Sequence, residues 1–443
     1  MKNNFINPSG FYENLPPEQI VEDTLKLNFQ KIAKSYGYAH LETASVEYIH
    51  TLASKGDINK EVYTIGRVLA EESEAVAGRG LHFDLTIPFA RYVAQHQSIL
   101  SFPYRRYQIQ KVWRGERPQK GRFREFYQAD IDVVTKGSLP VAFDAEVALV
   151  MASIIDSFNL GSVIMHISNR KFLSGIFEWL NINPEDYIKI FQIIDKLDKI
   201  NVEVVQKRLV DEIGLSSKST NQLFEILSQT ITTDRLPNFF NTLPIENSTL
   251  QEAITELTSV FKILGEVSDF VNFSFVFNPK IVRGLDYYTG TVYETFVEGR
   301  EHYGSICSGG RYADLTSRFS RQKMPGVGMS IGLTRLLSIL KEEKLVSFDK
   351  KTNSNVSILV MSEDQLIVSF KTAELLRKNG LNVEINYRTK DALGRQIQLI
   401  EGRGILFGVV CEKNGSFTVY KNNFSKEIFE EVTSLIKFLI KTP

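Results

Sequence analysis

The stretch VWRGERPQKGRFREFYQADIDV, residues 112–133, decides the fold of the first part of the chain. Two long strand-forming runs within residues 104–134 flank a loop at Gly115–Gly121, a pattern that predicts a β-hairpin. Because successive side chains of a strand point to opposite faces, the second run has an apolar face that includes Tyr127 and Ile131. The opposite, polar face carries Arg124, Phe126, Gln128, Asp130 and Asp132.

This polar face has two interpretations. Arg114 adds positive charge from the first run, and the loop adds further charged residues. These loop residues are Glu116, Arg117, Lys120 and Arg122. Arginines bind phosphate oxygens through paired N–H groups and Phe126 offers a flat face to a base, so one interpretation is a polyphosphate site. The other is a solvated antiparallel face with cross-strand ion pairs.

The composition sets the broad class of protein. A chain of 443 residues is too long for one ordinary core, which predicts at least two domains. With 52 Lys+Arg against 52 Asp+Glu, no overall basic field indicates a nucleic-acid partner, although a local basic patch stays compatible with one. Two cysteines, Cys307 and Cys411, exclude a disulfide framework and a four-cysteine zinc site. Without a long apolar run or a secretory signal, the sequence predicts a soluble protein of a reducing compartment.

Helices and strands alternate in a recognisable order along the chain. Residues 16–36 begin with two prolines and stop at Gly37, which predicts an amphipathic helix. From about residue 172 to 274, glycine is scarce and apolar residues recur at helical spacing, which predicts a helical insertion. Residues 275–332 return to strands, glycines and aromatic residues.

A polar linker, KKTNSN at 350–355, precedes a different kind of segment. Beyond it, short apolar runs alternate with helical patterns. The predicted strands are 356–361, 383–387, 405–411 and 417–420, and the predicted helices are 364–378 and 426–440. This alternation is typical of a small α/β domain of about 90 residues.

Five stretches, in order along the chain, carry a resemblance to a known family. Residues 112–133 resemble motif 2 of class II aminoacyl-tRNA synthetases and, within that class, of histidyl-tRNA synthetases. The other four are DLTIPFARYVA (84–94), VRGLDYYTGTVYE (282–294), SGGRYADL (308–315) and GVGMSIGLTRLL (326–337). They resemble the family's amino-group segment, its two histidine signatures and class motif 3.

The resemblance implies an α+β fold. Its catalytic domain would be a mixed, mostly antiparallel sheet with helices, built from 1–172 and 274–349. A helical insertion domain would span 173–273, and an α/β anticodon-binding domain 354–443. The implied enzyme is a histidine–tRNA ligase, which joins histidine to ATP and then transfers histidine to tRNA(His). The alternative is a non-catalytic paralogue that acts as the regulatory subunit of ATP phosphoribosyltransferase.

The resemblance places the family's ATP site in the motif 2 stretch, 112–133, and the motif 3 stretch, 326–337. Five side chains are implied there: Arg114, Glu116, Arg122, Phe126 and Arg335. Arg114 would contact the α-phosphate, and Arg122 and Arg335 the outer phosphates. Glu116 would bind the adenine amino group and Phe126 would stack on adenine. Arg335 lies in the first turn of a predicted helix, where the helix dipole favours phosphate.

The resemblance also implies a histidine site. Its members are Asp84, Thr86, Arg114, Gln128, Asp132, Arg283, Tyr287 and Tyr288. Asp132 and Tyr288 would bind the two ring nitrogens, and Asp84, Thr86 and Gln128 the α-ammonium group. A site that hydrogen-bonds both nitrogens rejects similar amino acids, because its own polar groups would otherwise stay unpaired.

Arg283 stands among apolar residues, and a half-buried guanidinium needs an anionic partner. That partner is either a substrate phosphate or an internal carboxylate such as Asp286. The resemblance favours the phosphate and gives catalytic roles to Arg283 and Arg114. The regulatory paralogues tend to lack this arginine and the C-terminal domain, so both features favour the ligase.

The remaining expectations concern partners. Five residues are implied in tRNA binding: Arg117, Gln119 and Lys120 at the acceptor end, and Arg388 and Arg395 in the anticodon-binding domain. Mg²⁺ would bridge the ATP phosphates with no dedicated protein site. The family also implies a homodimer in the cytoplasm and no membrane association.

Three positions depart from the family pattern. Ala44 stands where motif 1 usually has a proline, which weakens the sequence case for the dimer interface. His82 replaces a usual arginine and would remove a partner of Asp84. Asp132 is one methylene shorter than the glutamate of many members.

Overall fold

The computed structural model describes residues 6–52, 61–67, 78–118, 121–197, 200–243, 247–282, 288–313, 316–317, 319–421 and 425–441. The chain divides into two compact units. The first comprises Met1–Tyr12 and Leu25–Leu345, and the second Glu13–Thr24 and Val346–Pro443. No described helix combines the length and the apolar character that crossing a bilayer requires.

Eleven strands with described residues belong to the first part of the chain. They are β1 (Ala39–His40), β2 (Val46–Tyr48), β3 (Arg79–Leu81), β4 (Tyr104–Trp113), β5 (Glu125–Val134), β6 (Val163–Asn169), β7 (Ile231–Thr232), β8 (Ser274–Phe277), β9 (Tyr288–Val297), β10 (Cys307–Tyr312) and β11 (Gly326–Gly332). Nine of them form one sheet in the order β1-β4-β5-β11-β10-β9-β6-β8-β7. The β1–β4 and β6–β8 pairs are parallel and the others antiparallel. The predicted mixed, mostly antiparallel sheet is therefore confirmed.

The helices of the same part follow the predicted order. They are α1 (Pro16–Ser35), α2 (Ile49–Leu52), α3 (Thr86–His96), α4 (Ala142–Asp156), α5 (Arg170–Trp179), α6 (Tyr187–Ile194), α7 (Val202–Ile213), α8 (Ser217–Leu227), α9 (Leu236–Asn241), α10 (Ser248–Val267) and α11 (Leu333–Glu342). Asparagine or serine side chains cap several of those in the 170–267 segment, as Asn247 does by accepting from Leu250 N at 2.8 Å. The predicted domain boundaries, 1–172 and 274–349 for the catalytic domain and 173–273 for the insertion, stay predictions.

Helix α4 packs in the apolar core of the first unit and is buried on several sides. Val147, Val150, Met151 and Ile154 in this helix are fully buried. Each such side chain contributes roughly 1.5–3 kcal/mol relative to an exposed one. Because α4 packs on β5 and β11, this burial fixes the two strands that carry the polar face of the hairpin.

The second unit contains an α/β fold. Its strands are β12 (Val356–Leu359), β13 (Val383–Asn386), β14 (Phe407–Cys411), β15 (Phe417–Tyr420) and β16 (Lys426–Phe429), and its helices are α12 (Leu366–Lys378), α13 (Leu393–Glu401) and α14 (Val432–Lys441). The sheet order is β13-β12-β14-β15-β16. The prediction of one helix over 426–440 was wrong at its start, because Lys426–Phe429 pairs antiparallel with β15. The helix begins at Val432.

Strand register brings distant polar residues into rows on one face of the large sheet. Gln108, Asp130, Ser330, Ser308 and Glu294 are successive partners across β4, β5, β11, β10 and β9. A neighbouring row contains Arg106, Asp132, Gly328 and Gly310. Directly paired residues point to the same face, so these rows form the polar floor on which a site can be built.

Candidate active site

A cleft opens at the loop end of the β4–β5 hairpin, which is the outer end of the hairpin. The lining residues are Arg114, Glu116, Gly121, Arg122, Phe123, Phe126, Gln128, Ser305, Ile306, Cys307, Ser308, Ser330, Gly332 and Arg335. The structure thus brings all five predicted ATP-site residues to one cleft. Their roles toward ATP stay predictions.

Arg114 lines the cleft and is held on several sides. Its Nε donates to the Phe83 carbonyl oxygen at 3.1 Å, and an Nη donates to Gln128 Oε1 at 3.1 Å. Gln128 in turn donates to Ser330 Oγ at 2.7 Å. The Arg114 guanidinium also lies 5.1 Å from the centroid of the Phe126 ring. These contacts orient a cation before any ligand arrives, as electrostatic preorganisation requires.

Two further arginines face the same cleft. Arg335, in the first turn of α11, donates to the carbonyl oxygens of Gly121 at 3.1 Å and Ser305 at 2.8 Å. Arg122 is 48% exposed and its guanidinium lies 3.7 Å from Glu116. The N-terminal end of α11 adds the partial positive charge of its helix dipole. The cleft can therefore accept a polyanion.

The inner end of the hairpin, residues 128–132 on β5, differs from the outer end because its polar side chains are buried. Gln128, Asp130 and Asp132 are 7%, 2% and 4% exposed. The interpretation of the polar face as a solvated surface was therefore wrong for these three residues, because β5 is an interior strand and the segment that begins α3 packs on the same face through Arg106. Buried carboxylates persist only when charged or hydrogen-bonding partners compensate for the lost water.

Arg106, which the sequence analysis did not single out, supplies that compensation. It is fully buried, and an Nη lies 2.7 Å from Asp132 Oδ2 and 3.8 Å from Asp130 Oδ2. Another Nη donates to Gln108 Oε1 at 3.0 Å. The signal in the sequence was the alternation of Arg106, Gln108 and Gln110 along β4. Its meaning depends on the register with β5, which the sequence did not provide.

The Asp132 carboxylate is bound at both oxygens. Oδ2 faces Arg106, and Oδ1 accepts from the Tyr312 hydroxyl at 3.1 Å. Burial raises the pKa of Asp132 to about 7 and that of Asp130 to about 6, while Arg106 lowers both. Across the sheet, a Cβ at Gly328 would lie 2.0 Å from Asp132 Oδ1. Glycine is thus required beside this carboxylate.

The predicted amino-group segment lies next to this buried group. Asp84 Oδ1 accepts from Ile87 N at 3.1 Å and so caps the first turn of α3, which begins at Thr86. The Leu85 carbonyl oxygen accepts from Arg106 at 3.4 Å. Asp84 also raises the pKa of both Asp130 and Asp132, which indicates that the three carboxylates influence one another.

Tyr288 begins β9 opposite Tyr312, and its ring would contact a Cβ placed at Gly310 at 2.8 Å. The remaining residues of that signature, Arg283 and Tyr287 with Asp286, lie outside the described residues. The same is true of Gln119 and Lys120 in the hairpin loop. Their predicted roles stay predictions.

Ala44 and His82, two of the positions that depart from the family pattern, are in contact in the structure. His82 is fully buried, with Nε2 at 2.7 Å from the Lys111 carbonyl oxygen and Nδ1 at 3.2 Å from that of Ala44. Burial lowers the pKa of His82. His82 therefore joins the segment around Ala44 to β4.

The other predicted tRNA residues are at the surface. Arg117 is exposed in the hairpin loop. In the second unit, Arg395 is exposed on α13, and the side chain of Arg388 is 62% exposed and lies 3.5 Å from Asp391. Among the described residues, no group of three or more His, Cys, Asp or Glu side chains is placed to hold a metal ion. Mg²⁺ often relies on substrate phosphates plus one or two carboxylates, and Glu116 is a carboxylate of the cleft, so Mg²⁺ stays a prediction.

The nine-stranded sheet, with an arginine-lined cleft over its β4–β5 hairpin, defines the catalytic domain of a class II aminoacyl-tRNA synthetase. The histidyl-tRNA synthetase family model matches residues 10–336. The chain belongs to this family.

Individual relatives agree with the family. A histidine–tRNA ligase of Thermobifida fusca is 40% identical over 408 residues, which cover 90% of each chain. The crystal structure of histidyl-tRNA synthetase from Nostoc sp. PCC 7120 superposes with a TM-score of 0.90 at 34% identity over 100% of both chains. An ATP phosphoribosyltransferase regulatory subunit/histidyl-tRNA synthetase from Bacillus halodurans has a TM-score of 0.72 at 20% identity, over 90% of this chain and 97% of that one. This last likeness extends to the fold alone.

Proposed function

We propose that the protein is a histidine–tRNA ligase, which uses ATP to form histidyl-adenylate and then transfers histidine to the 3′ end of tRNA(His). The observation that carries the proposal is the division of one hairpin into a cationic cleft and a buried carboxylate cluster. A polyphosphate suits the first and an amino acid with a cationic ammonium group suits the second. The relatives' names support the same activity.

In the first step, a carboxylate oxygen of histidine attacks the α-phosphorus of ATP, and the bond to pyrophosphate breaks. Arg114 contacts the α-phosphate and the histidine carboxylate in this proposal. Arg335 and Arg122 bind the outer phosphates, Phe126 stacks on adenine, and Glu116 accepts from the adenine amino group. Mg²⁺, held mainly by ATP, would neutralise the remaining charge of the phosphates. Positioning and charge stabilisation account for most of the catalysis.

The inner end of the hairpin selects the amino acid. Asp132 and Tyr288 bind the two nitrogens of the imidazole, while Asp84, Thr86 and Gln128 bind the α-ammonium group. Arg283 would stabilise the charge that develops on the α-phosphate, and Tyr287 would line the pocket.

In the second step, the terminal ribose hydroxyl of tRNA attacks the carbonyl carbon of the adenylate and AMP leaves. Arg117, Gln119 and Lys120 would meet the acceptor end, and Arg388 and Arg395 the anticodon region. Arginine and lysine contacts to phosphate would make this binding salt-dependent. A homodimer in the cytoplasm completes the proposal.

Amino-acid-dependent ATP–pyrophosphate exchange tests this function. We expect exchange with histidine and, in the same assay, none with the other amino acids. If the protein binds histidine but supports no exchange, the ligase proposal is wrong and the regulatory-subunit alternative is supported. Exchange with another amino acid would contradict the assigned side-chain pocket.

A further inference from the structure

Arg106 stands out because it is a fully buried cation that none of the predicted roles uses. It lies on β4, opposite Asp132 in the strand register, and contacts that carboxylate at 2.7 Å. Arginine side chains are rarely buried completely without a specific partner. Its partners here belong to the segments that would bind histidine.

The same guanidinium also contacts the amino-group segment. An Nη donates to the Leu85 carbonyl oxygen at 3.4 Å, and the Arg106 Cζ lies 4.4 Å from the centroid of the Phe89 ring on α3. Leu85 lies between the two predicted ammonium ligands, Asp84 and Thr86. One side chain therefore links the segment that binds the ammonium group to the strand that binds the imidazole.

The chemistry of arginine suits this linking role. Its planar guanidinium can donate in several fixed directions at once, whereas a lysine ammonium is a compact point charge. At this position one group reaches Asp132, Gln108 and Leu85 together. Since Tyr312 holds the second oxygen of Asp132, the plane of that carboxylate is fixed from both sides.

We propose that Arg106 is a positioning residue for histidine recognition, which fixes the Asp132 carboxylate and its distance from the ammonium-binding segment. The inference rests on the proposed function, because it takes histidine as the ligand of this pocket. Arg106 does not touch the substrate in this scheme and acts through Asp132 and Leu85.

Arg106→Lys tests the proposal, because it keeps a positive charge and loses the planar group. We expect the KM for histidine in ATP–pyrophosphate exchange, and its Kd by calorimetry, to rise roughly 10–100-fold, the range for one charge-assisted hydrogen bond. The KM for ATP should stay within about twofold. The matched control is Arg105→Lys at the preceding residue of β4, whose side chain on the opposite face contacts Glu146 at 2.8 Å. This control should change neither constant.

A double variant keeps the proposal testable if removal of one buried charge damages the fold. Arg106→Met combined with Asp132→Asn removes both charges of the 2.7 Å pair, and of the carboxylates that contact Arg106 it leaves Asp130, at 3.8 Å, in place. If Arg106 acts through Asp132, the double variant binds histidine about as weakly as Asp132→Asn alone. Independent, additive losses would overturn the proposal. It would also be overturned if Arg106→Lys leaves the histidine constants unchanged or raises the KM for histidine and ATP equally.

The wild-type protein separates this inference from the proposed function. Histidine-dependent exchange by the wild type, together with additive losses in the variants, would overturn the role of Arg106 alone. A wild type that neither exchanges nor binds histidine would overturn both.

Discussion

The two ends of the β4–β5 hairpin share one pattern, in which polar side chains alternate along β5, but these side chains are exposed at the outer end and buried at the inner end. At the outer end, Arg122 is 48% exposed and faces an open cleft with Arg114. At the inner end, Asp130 and Asp132 are almost fully buried and share Arg106. Charged groups near water stay available to a polyanion, whereas buried ones hold each other in fixed geometry. One strand can thus provide both a phosphate site and a selective pocket.

The largest effect is expected at Arg114, which contacts residues of both ends. Arg114→Ala removes a preoriented cation and leaves Gln128 without a donor to its Oε1, so kcat for adenylate formation should fall on the order of 10²–10³-fold. Single-turnover adenylate formation measures this directly. Arg105→Ala, on the opposite face of β4, is the matched control. A loss of less than about threefold in Arg114→Ala would contradict its central role.

A smaller, selective effect is expected from Gly328→Ala. The added Cβ would lie 2.0 Å from Asp132 Oδ1 and 2.7 Å from the Ile131 carbonyl oxygen, so the carboxylate must move. We expect the KM for histidine to rise roughly 10–100-fold, equivalent to one displaced charge-assisted hydrogen bond.

Gly332→Ala is the matched control on the same strand. Its Cβ would meet Arg335 Cβ at 3.8 Å, an ordinary contact, so the KM for histidine should not change. An unchanged KM for histidine in Gly328→Ala would show that the buried end tolerates movement of Asp132, and equal increases in both variants would show that the effect is not specific to this carboxylate.

The smallest effect concerns stability and pH. Burial raises the pKa of Asp130 to about 6, above its unfolded value of about 3.9. Between these two values the folded state binds more protons, so stability falls as pH rises through this window and then levels off. Asp130→Asn removes this pH-dependent contribution to the free energy of unfolding. Thermal midpoints from pH 4 to 7.5 should show the wild type losing stability relative to the variant between about pH 4 and 6. Parallel curves would contradict the burial of an ionisable Asp130.

The sequence predicted elements best where local signals were strong. The β4–β5 hairpin lies within the predicted 104–134, and α1 begins at the predicted Pro16. Local signals failed at Lys426–Phe429, which was predicted as helix. These residues become a strand because β15 offers an unpaired edge, and such pairing is a tertiary effect that no local pattern encodes.

The same limit applies to the site. Residue types at the outer end were compatible with a phosphate site or with a solvated face, and the resemblance favoured the first and added individual roles. Arg106 stayed hidden because its importance depends on the register that places it opposite Asp132, and on the burial of both. An alternating polar strand looks the same in sequence whether water or another strand covers it.

The most direct test of the division between the two ends is a pair of Michaelis constants measured for two variants. Arg335→Ala removes a cation from the cleft and should raise the KM for ATP roughly 10–100-fold, with the KM for histidine within about twofold. Asp132→Asn should raise the KM for histidine by a similar factor and leave the KM for ATP within about twofold. If either variant raises both constants equally, the two ends of the hairpin do not have separate functions.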